Sequence, residues 1–146
     1  MPLRDDEYAA LAGFRSALRQ FLAFSETAAR SLGLGPRQYQ ALLAIRAWPA
    51  GGRPTVGDLA GQLAIRHHSA VGLVDRLVSL RLLDREADRH DRRRVYLRLT
   101  RRGRQRLEKL AAVHRAQLGQ LRPQLAALLR ILGPARRPRR RPRLIS

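Results

Sequence analysis

The chain has 146 residues, a formal net charge of +19 and no cysteine. This length fits one domain and excludes two separate enzymatic domains, and a sequence without cysteine excludes disulfides, thiolate zinc sites and thiol catalysis. Six arginines lie after residue 135, which leaves +13 of the charge on the rest of the chain, and a surface this basic attracts nucleic acid first and anionic membrane second.

The first predicted element is a long helix over residues 8–32. Seven of its positions, all apolar except Ser25, are spaced alternately by three and four, which places them on one side of a helix. They are Leu11, Phe14, Leu18, Phe21, Ser25, Ala28 and Leu32. Gly33 and Gly35 end this helix, and Pro36 suits the first turn of a second one that contains Tyr39. The second helix ends before a loop at residues 48–52.

Two short helices joined by a tight turn are predicted between residues 55 and 80. Thr55 and Asp58 have the spacing of a capping box, in which the threonine side chain accepts a hydrogen bond from the third helical amide. The residues expected to point inward are Val56, Leu59, Ala60 and Leu63 in the first helix, then Val71, Val74, Leu77 and Val78 in the second. This arrangement is the outline of a helix-turn-helix.

The hydrophobic period changes to two after this region. Val95, Leu97 and Leu99 alternate with polar residues, which predicts a half-buried strand, and residues 83–87 are its expected partner. The connection at residues 88–94 is rich in arginine. We therefore expect a β-hairpin with a long basic tip.

A final helix is predicted after Thr100, which can cap it. Its apolar positions repeat as a heptad seam, which requires another helix along its length: Leu107, Ala111, His114, Leu118, Leu121, Leu125, Leu128 and Leu132. Pro123 is expected to kink this helix, and Gly119 relieves the clash with the proline ring. The Arg/Pro-rich tail at residues 134–146 is expected to be disordered.

Residues 88–103, DRHDRRRVYLRLTRRG, resemble the wing signature of the multiple antibiotic resistance regulator (MarR) family. Residues 55–85, TVGDLAGQLAIRHHSAVGLVDRLVSLRLLDR, are similar to that family's helix-turn-helix, and the resemblance covers roughly residues 8–132. It implies a dimer whose second helix-turn-helix helix enters the major groove of DNA. The wing tip would then reach the neighbouring minor groove, where the negative potential favours arginine.

The resemblance also implies roles for individual residues. Asp91 and Arg93 match the wing-tip pair, in which the acid holds the arginine ready for insertion. Gly72 and Leu73 replace side chains that are commonly polar or basic in the family, so specificity is expected to depend on fewer base contacts and on DNA shape. The predicted DNA-binding residues are His67, His68, Ser69, Arg76, Arg89, Asp91, Arg92, Arg93 and Arg94.

Some of these residues have a second interpretation. Ser69 is either a DNA contact or a helix cap, and Arg76 is either a phosphate contact or a surface charge. His114 is interpreted as a core histidine rather than a pH sensor. Because the family usually has glycine at the position of Arg81, we expect the end of the recognition helix to differ locally.

The sequence predicts no catalytic residues, no metal site and no cofactor. His67 and His68 are adjacent on a helix and so face different directions, and no third ligand lies near them. Ser69, either histidine and Asp75 provide the groups of a catalytic triad, but on one helix these side chains do not converge. The chain also contains no nucleophile elbow or phosphate-binding loop.

The predicted fold is mainly α with a small β-hairpin wing: a winged helix-turn-helix with N- and C-terminal dimerisation helices. Residues 1–35 form the first dimerisation helix, residues 36–100 the DNA-binding domain and residues 101–133 the second dimerisation helix. The predicted dimer contacts are Leu11, Phe14, Leu18, Leu118, Leu121, Leu125 and Leu128. Trp48 is interpreted as a core residue, and the alternative is that Phe14, Tyr39 and Trp48 line a pocket for a small-molecule effector.

These features predict a homodimeric, ligand-responsive repressor that binds double-stranded DNA at a near-palindromic operator. The alternative is an architectural protein that binds DNA without much sequence preference. A third possibility is a membrane-surface protein anchored by its basic tail. The start of the chain does not resemble a signal peptide and no apolar run is long enough to span a membrane, so we expect a cytoplasmic protein without a membrane partner.

Overall fold

The computed structural model describes residues 2–50 and 52–133, so the prediction of a disordered tail lies outside the described residues. The helices are α1 (Asp5–Ser31), α2 (Pro36–Arg46), α3 (Val56–Leu63), α4 (His67–Ser79), α5 (Arg101–Leu118) and α6 (Arg122–Leu132). Strands β1 (Leu83–Ala87) and β2 (Val95–Leu99) form an antiparallel hairpin in which Leu83 lies opposite Leu99. This mainly α fold with a small hairpin confirms the predicted fold class.

Thr55 and Thr100 cap the N-termini of α3 and α5, as predicted. The backbone amide of Asp58 donates to Thr55 Oγ1 (3.1 Å), and the amide of Thr55 donates to Asp58 Oδ2 (2.9 Å). At α5, the amide of Gly103 donates to Thr100 Oγ1 (2.9 Å). Both caps satisfy amides that have no partner within the helix.

The end of α4 differs from the prediction made for Arg81. The amide of Leu82 donates to the Leu77 carbonyl and the amide of Arg81 to the Val78 carbonyl, both at 2.9 Å. This is a Schellman motif, which requires a left-handed residue and usually contains glycine. Arg81 adopts that conformation with φ 60°. The prediction of a locally different helix end was therefore wrong, because the surrounding contacts impose the turn on a residue with a Cβ.

The core lies between α2, α3, α4, the hairpin and the first half of α5. Its fully buried large side chains are Leu34, Leu42, Leu59, Val74, Leu77, Leu82, Leu83, Leu97 and Leu110. Each buried leucine stabilises the fold by roughly 1.5–3 kcal/mol. The backbones of Gly103 and Leu82 approach so closely that a Cβ on Gly103 would lie 2.1 Å from the Leu82 carbonyl oxygen. The N-terminal half of α5 is therefore part of the same core as the helix-turn-helix.

The orientation of α4 about its axis corrects two predictions. Its buried residues are Ala70, Leu73, Val74 and Leu77, which follow the spacing of one helix side. Leu73 is only 6% exposed, whereas Val71 is 36% exposed. Leu73 was interpreted as an apolar residue at a position that contacts DNA bases, which is wrong because Leu73 is buried. The predicted inward orientation of Val71 was also wrong. Helix α4 has apolar residues on more than one side, and packing selects the side that faces the core.

The C-terminal region confirms the predicted interruption at Pro123. Gly119–Leu121 form a 3-10 turn, after which Pro123 lies in the first turn of α6, where its missing amide costs little. Helix α1 packs along both α5 and α6. Leu110 is fully buried although the predicted heptad seam omits it. Within the described residues, no helix has the length and apolar character needed to cross a membrane.

Candidate nucleic-acid interface

The solvent side of α4 carries the residues predicted to read DNA bases. His67 and His68 lie in its first turn and are exposed. No side chain caps the helix, so the structure does not give Ser69 the capping role. Ser69 is half-buried. The first turn therefore leaves its amides and two imidazole rings available to a partner.

A cavity of about 560 Å³ lies between this side of α4 and the start of α2. Its lining includes His68, Ser69 and Arg76 together with Arg37. Arg76 is exposed and folds back on its own helix, where its Nε donates to the Gly72 carbonyl (3.2 Å). The structure thus brings three predicted DNA-binding residues together and adds a second arginine beside them.

The sequence interpretation missed Arg37. It is exposed, directly follows Pro36 and lies in the first turn of α2. Helix N-termini attract phosphate because their free amides donate hydrogen bonds and because the positive end of the helix dipole lies there. The available signal was an arginine beside a proline that starts a helix, but the sequence alone does not show that this turn lies beside α4.

The wing tip is a tight turn organised by Asp91. The amide of Arg94 donates to the Asp91 carbonyl (2.9 Å), and the amide of Arg93 donates to Asp91 Oδ1 (3.1 Å). The same carboxylate oxygen accepts a hydrogen bond from Arg93 Nε (3.3 Å), although the Arg93 side chain is 93% exposed. The guanidinium is therefore oriented by the turn and still open to solvent.

The remaining wing arginines are not oriented in this way. Arg89, Arg92 and Arg94 are exposed, and none forms an ion pair within the described residues. By contrast, the acids of the hairpin strands have cationic neighbours. Asp84 pairs with Arg98 (3.6 Å) and Glu86 with Arg53 (2.9 Å). The strands are thus partly neutralised and the tip keeps its positive charge.

Asp88 is a second organising residue of the wing that the sequence interpretation missed. Its Oδ1 accepts hydrogen bonds from the amides of His90 (2.7 Å) and Asp91 (3.2 Å), and its Oδ2 accepts one from the Tyr96 hydroxyl (3.0 Å). These bonds, the His90 amide first, lower the pKa of the Asp88 carboxyl because they stabilise its ionised form. An aspartate at the start of a turn was the available signal.

Tyr39 and Trp48, two of the residues considered for an effector pocket, lie in different surroundings. Tyr39 is only 6% exposed and stacks on His114, with ring centroids 4.4 Å apart. Trp48 lines a separate cavity of about 240 Å³ whose lining contains neither Phe14 nor Tyr39. Tyr39 therefore packs in the core, as does the ring of His114 beside it, and the cavity at Trp48 does not include it.

His114 has the surroundings of a core histidine, as predicted. It is 4% exposed, its Nδ1 lies 2.6 Å from the Leu110 carbonyl and its Nε2 lies 2.7 Å from Ser25 Oγ. Phe21 and Phe24 contact its ring edge-on. These contacts join α1 to α5 through one polar side chain whose ring nitrogens both have partners.

Comparison with known proteins agrees with this geometry. Residues 32–94 match the MarR family model. The fold is similar to AbsC, a MarR family transcriptional regulator from Streptomyces coelicolor (25% identity, 88% of this chain and 84% of that one, TM-score 0.65). It is also similar to the MarR family transcription regulator SP03579 (20% identity, 86% and 84% coverage, TM-score 0.71).

A third similar structure is the MepR-DNA complex from S. aureus, with 22% identity, 76% and 80% coverage and a TM-score of 0.66. No curated protein matches the sequence. The family match spans the helix-turn-helix and reaches the tip of the wing, which are the elements that carry the interface residues. Residues 32–94 are therefore similar to the MarR family over the helix-turn-helix and the wing tip, and the described chain has the fold of MarR family transcription regulators.

Proposed function

We propose that this protein is a sequence-specific, ligand-responsive repressor that binds a near-palindromic operator as a homodimer. The observation that carries the proposal is the wing tip, where Asp91 orients an almost fully exposed Arg93. An arginine held before binding loses less conformational freedom when it enters a groove. The DNA-bound state of the structurally similar MepR supports DNA as the partner.

The recognition helix supplies the second part of the interface. We assign base contacts in the major groove to His67, His68 and Ser69, since a helix fits that groove and base edges are readable there. Arg76 and Arg37 are assigned to phosphates on either side of the cavity that they share. Arg89, Arg92 and Arg94 are assigned to phosphates next to the wing.

The terminal helices supply the proposed dimer contacts. Their exposed apolar side chains include Leu11, Leu18, Leu118, Leu125, Leu129 and Leu132, while Phe14, Leu121 and Leu128 are half-buried. Exposed apolar side chains in this number on neighbouring helices favour an interface. Two-fold symmetry would place two recognition helices about one turn of DNA apart, which is why we propose a near-palindromic site.

The cavity between α2 and α4 is the site that we assign to the ligand in the proposed response. Its volume of about 560 Å³ is within the range of small-molecule sites. An occupant there would contact His68, Ser69 and Arg76, and would therefore compete with their contacts to DNA. A small molecule that binds this cavity is expected to weaken operator binding.

The wing mechanism is tested by substituting its charged residues one at a time and measuring operator affinity against salt concentration. Arg93→Ala should cost on the order of 1–3 kcal/mol and relax the preference for A·T pairs at the flank. Asp91→Ala should show part of that loss, although removal of an acid favours DNA binding electrostatically. Arg89→Ala, Arg92→Ala and Arg94→Ala are the controls, which should weaken all sequences alike and lower the salt slope by about one unit.

Equal and sequence-independent losses at all four arginines, with tighter binding by Asp91→Ala, would contradict the assigned wing mechanism.

The net charge of +19 favours a second candidate, an architectural DNA-binding protein. A specificity ratio separates the two functions. About a thousandfold or more over random DNA supports the regulator, and tens-fold or less supports the architectural protein.

A further inference from the structure

We propose that Asp88 and Tyr96 are positioning residues that hold the wing tip in the geometry in which Arg93 meets DNA, and that Arg53 connects them to the helix-turn-helix. This inference rests on the proposed function of the wing. We call these three residues the wing brace. None of them is assigned to a DNA contact above.

The first step of the argument is the turn itself. Asp88 accepts the amides of His90 and Asp91, so one carboxylate fixes the backbone on the way into the tip. The amide of Asp88 also donates to the Arg94 carbonyl (2.9 Å), which closes the base of the loop. Asp88 therefore fixes the position of Asp91, and Asp91 orients Arg93.

The second step links the turn to strand β2. The Tyr96 hydroxyl donates to Asp88 Oδ2 (3.0 Å), and Arg53 Cζ lies 4.9 Å from the centroid of the Tyr96 ring. Arg53 also pairs with Glu86 on β1 (2.9 Å). A cation over an aromatic ring is attracted by the negative face of the ring. Tyr96 is thus held from two sides, by its ring and by its hydroxyl.

The third step links Tyr96 to the helix-turn-helix. The amide of Leu97 donates to the Pro54 carbonyl (2.8 Å), and Thr55 forms a β-bridge with Tyr96. Thr55 is also the residue that caps α3. A two-stranded hairpin alone is only marginally stable in water. These contacts, together with the burial of Leu83 and Leu97 in the core, therefore fix the direction of the wing relative to α4, the helix assigned to the major groove.

The experiment is a double-mutant cycle between Tyr96 and Arg93, read as operator affinity. Tyr96→Phe removes the hydroxyl and keeps the ring over Arg53, so we expect about a threefold to tenfold loss of affinity, the size of one hydrogen bond. In the Arg93→Ala background the same substitution should have no further effect. Tyr8→Phe, which removes an exposed hydroxyl on α1, is the matched control and should change neither background.

Loss of affinity of the same size in both backgrounds would overturn the proposal, because Tyr96 would then act independently of Arg93. No loss in the wild-type background would overturn it as well. Asp88→Ala should lose about tenfold and also lose the A·T preference, whereas Asp84→Ala, the same charge change on β1, should keep that preference. A retained preference in Asp88→Ala would contradict the brace.

A measurement without DNA separates this inference from the proposed function. Tyr96→Phe should accelerate hydrogen exchange at the amides of His90 and Asp91 and raise the pKa of Asp88 towards its ordinary value, because one bond to the carboxylate is lost. If both changes occur but Arg93→Ala leaves DNA binding intact, the assigned wing function fails and the brace stands as a structural device. If neither occurs, the brace itself is wrong.

Discussion

The winged domain and the terminal helices differ in how completely one chain buries their apolar residues. Helix α4 buries four residues, whereas α6 buries none and the much longer α1 buries only Ala17 and Ala29. Leu129 and Leu132 of α6 are 65% and 67% exposed. The winged domain is therefore complete within one chain, and the terminal helices are complete only if another apolar surface covers them.

The two regions also differ in the chemistry of their exposed side chains. The winged domain exposes charge, most of it arginine, on a core that holds α4 and the wing in place. The terminal helices expose leucine, and the N-terminal half of α5 belongs to the core while its continuation into α6 does not. Substitutions in the two regions should consequently affect different quantities, the free energy of unfolding in one and the dimer dissociation constant in the other.

The largest expected effect is in the winged domain. Gly103→Ala places a methyl group 2.1 Å from the Leu82 carbonyl oxygen, so backbone must move and the free energy of unfolding should fall by about 3 kcal/mol. Gly61→Ala is the control, since its Cβ meets no described atom within 4 Å and alanine favours helix by about 1 kcal/mol. Urea unfolding measures both. Equal stability of Gly103→Ala and wild type would contradict the close packing of α5 on the core.

The next effect is expected in the terminal helices. Leu125→Asp places a charge in the proposed interface twice, once from each protomer, and should weaken dimerisation about a hundredfold while leaving the protomer folded. Leu80→Asp is matched in exposure, since both leucines are 40% exposed, and should leave dimerisation unchanged. Sedimentation at micromolar concentration measures the result. A wild-type protein that sediments as a stable monomer would contradict the dimer.

A smaller effect is expected where the two regions meet, at His114. His114→Phe keeps a ring between Tyr39 and the two phenylalanines of α1 but loses the hydrogen bond to Ser25, so it should cost about 1–2 kcal/mol of unfolding free energy. Ser25→Ala removes the same bond. The two losses should therefore not add in the double variant. Additive losses would show that the bond does not join the helices.

The smallest effect is a gain of stability at the end of α4. Arg81→Gly relieves the left-handed conformation at φ 60° and should raise the free energy of unfolding by about 1 kcal/mol. Arg81→Gln removes the charge but keeps the strain, so it should show no such gain. If the glutamine variant is stabilised as much as the glycine variant, charge repulsion rather than backbone conformation is the cause.

Much of the candidate interface was predictable because its signals are local. The Thr55 and Thr100 caps and both strands depend on residues close together in sequence, and the Asp91–Arg93 pair was implied by the resemblance to the MarR family. Arg37 and the brace residues were missed for the opposite reason. Arg37 meets Arg76 across a cavity, and Tyr96 reaches Asp88 from the far side of the turn. Contacts of this kind depend on how elements pack.

The sequence by itself determined the element order, the turn chemistry and the basic character of the wing, since helix caps, strand alternation and charge are properties of neighbouring residues. Only the tertiary structure decided that Leu73 rather than Val71 enters the core, that Arg81 adopts a left-handed turn, and that Tyr39 stacks on His114 in the core. The physical reason is that α4 carries apolar residues on more than one side. Burial against the other core elements, which no local pattern specifies, selects the side that faces inward.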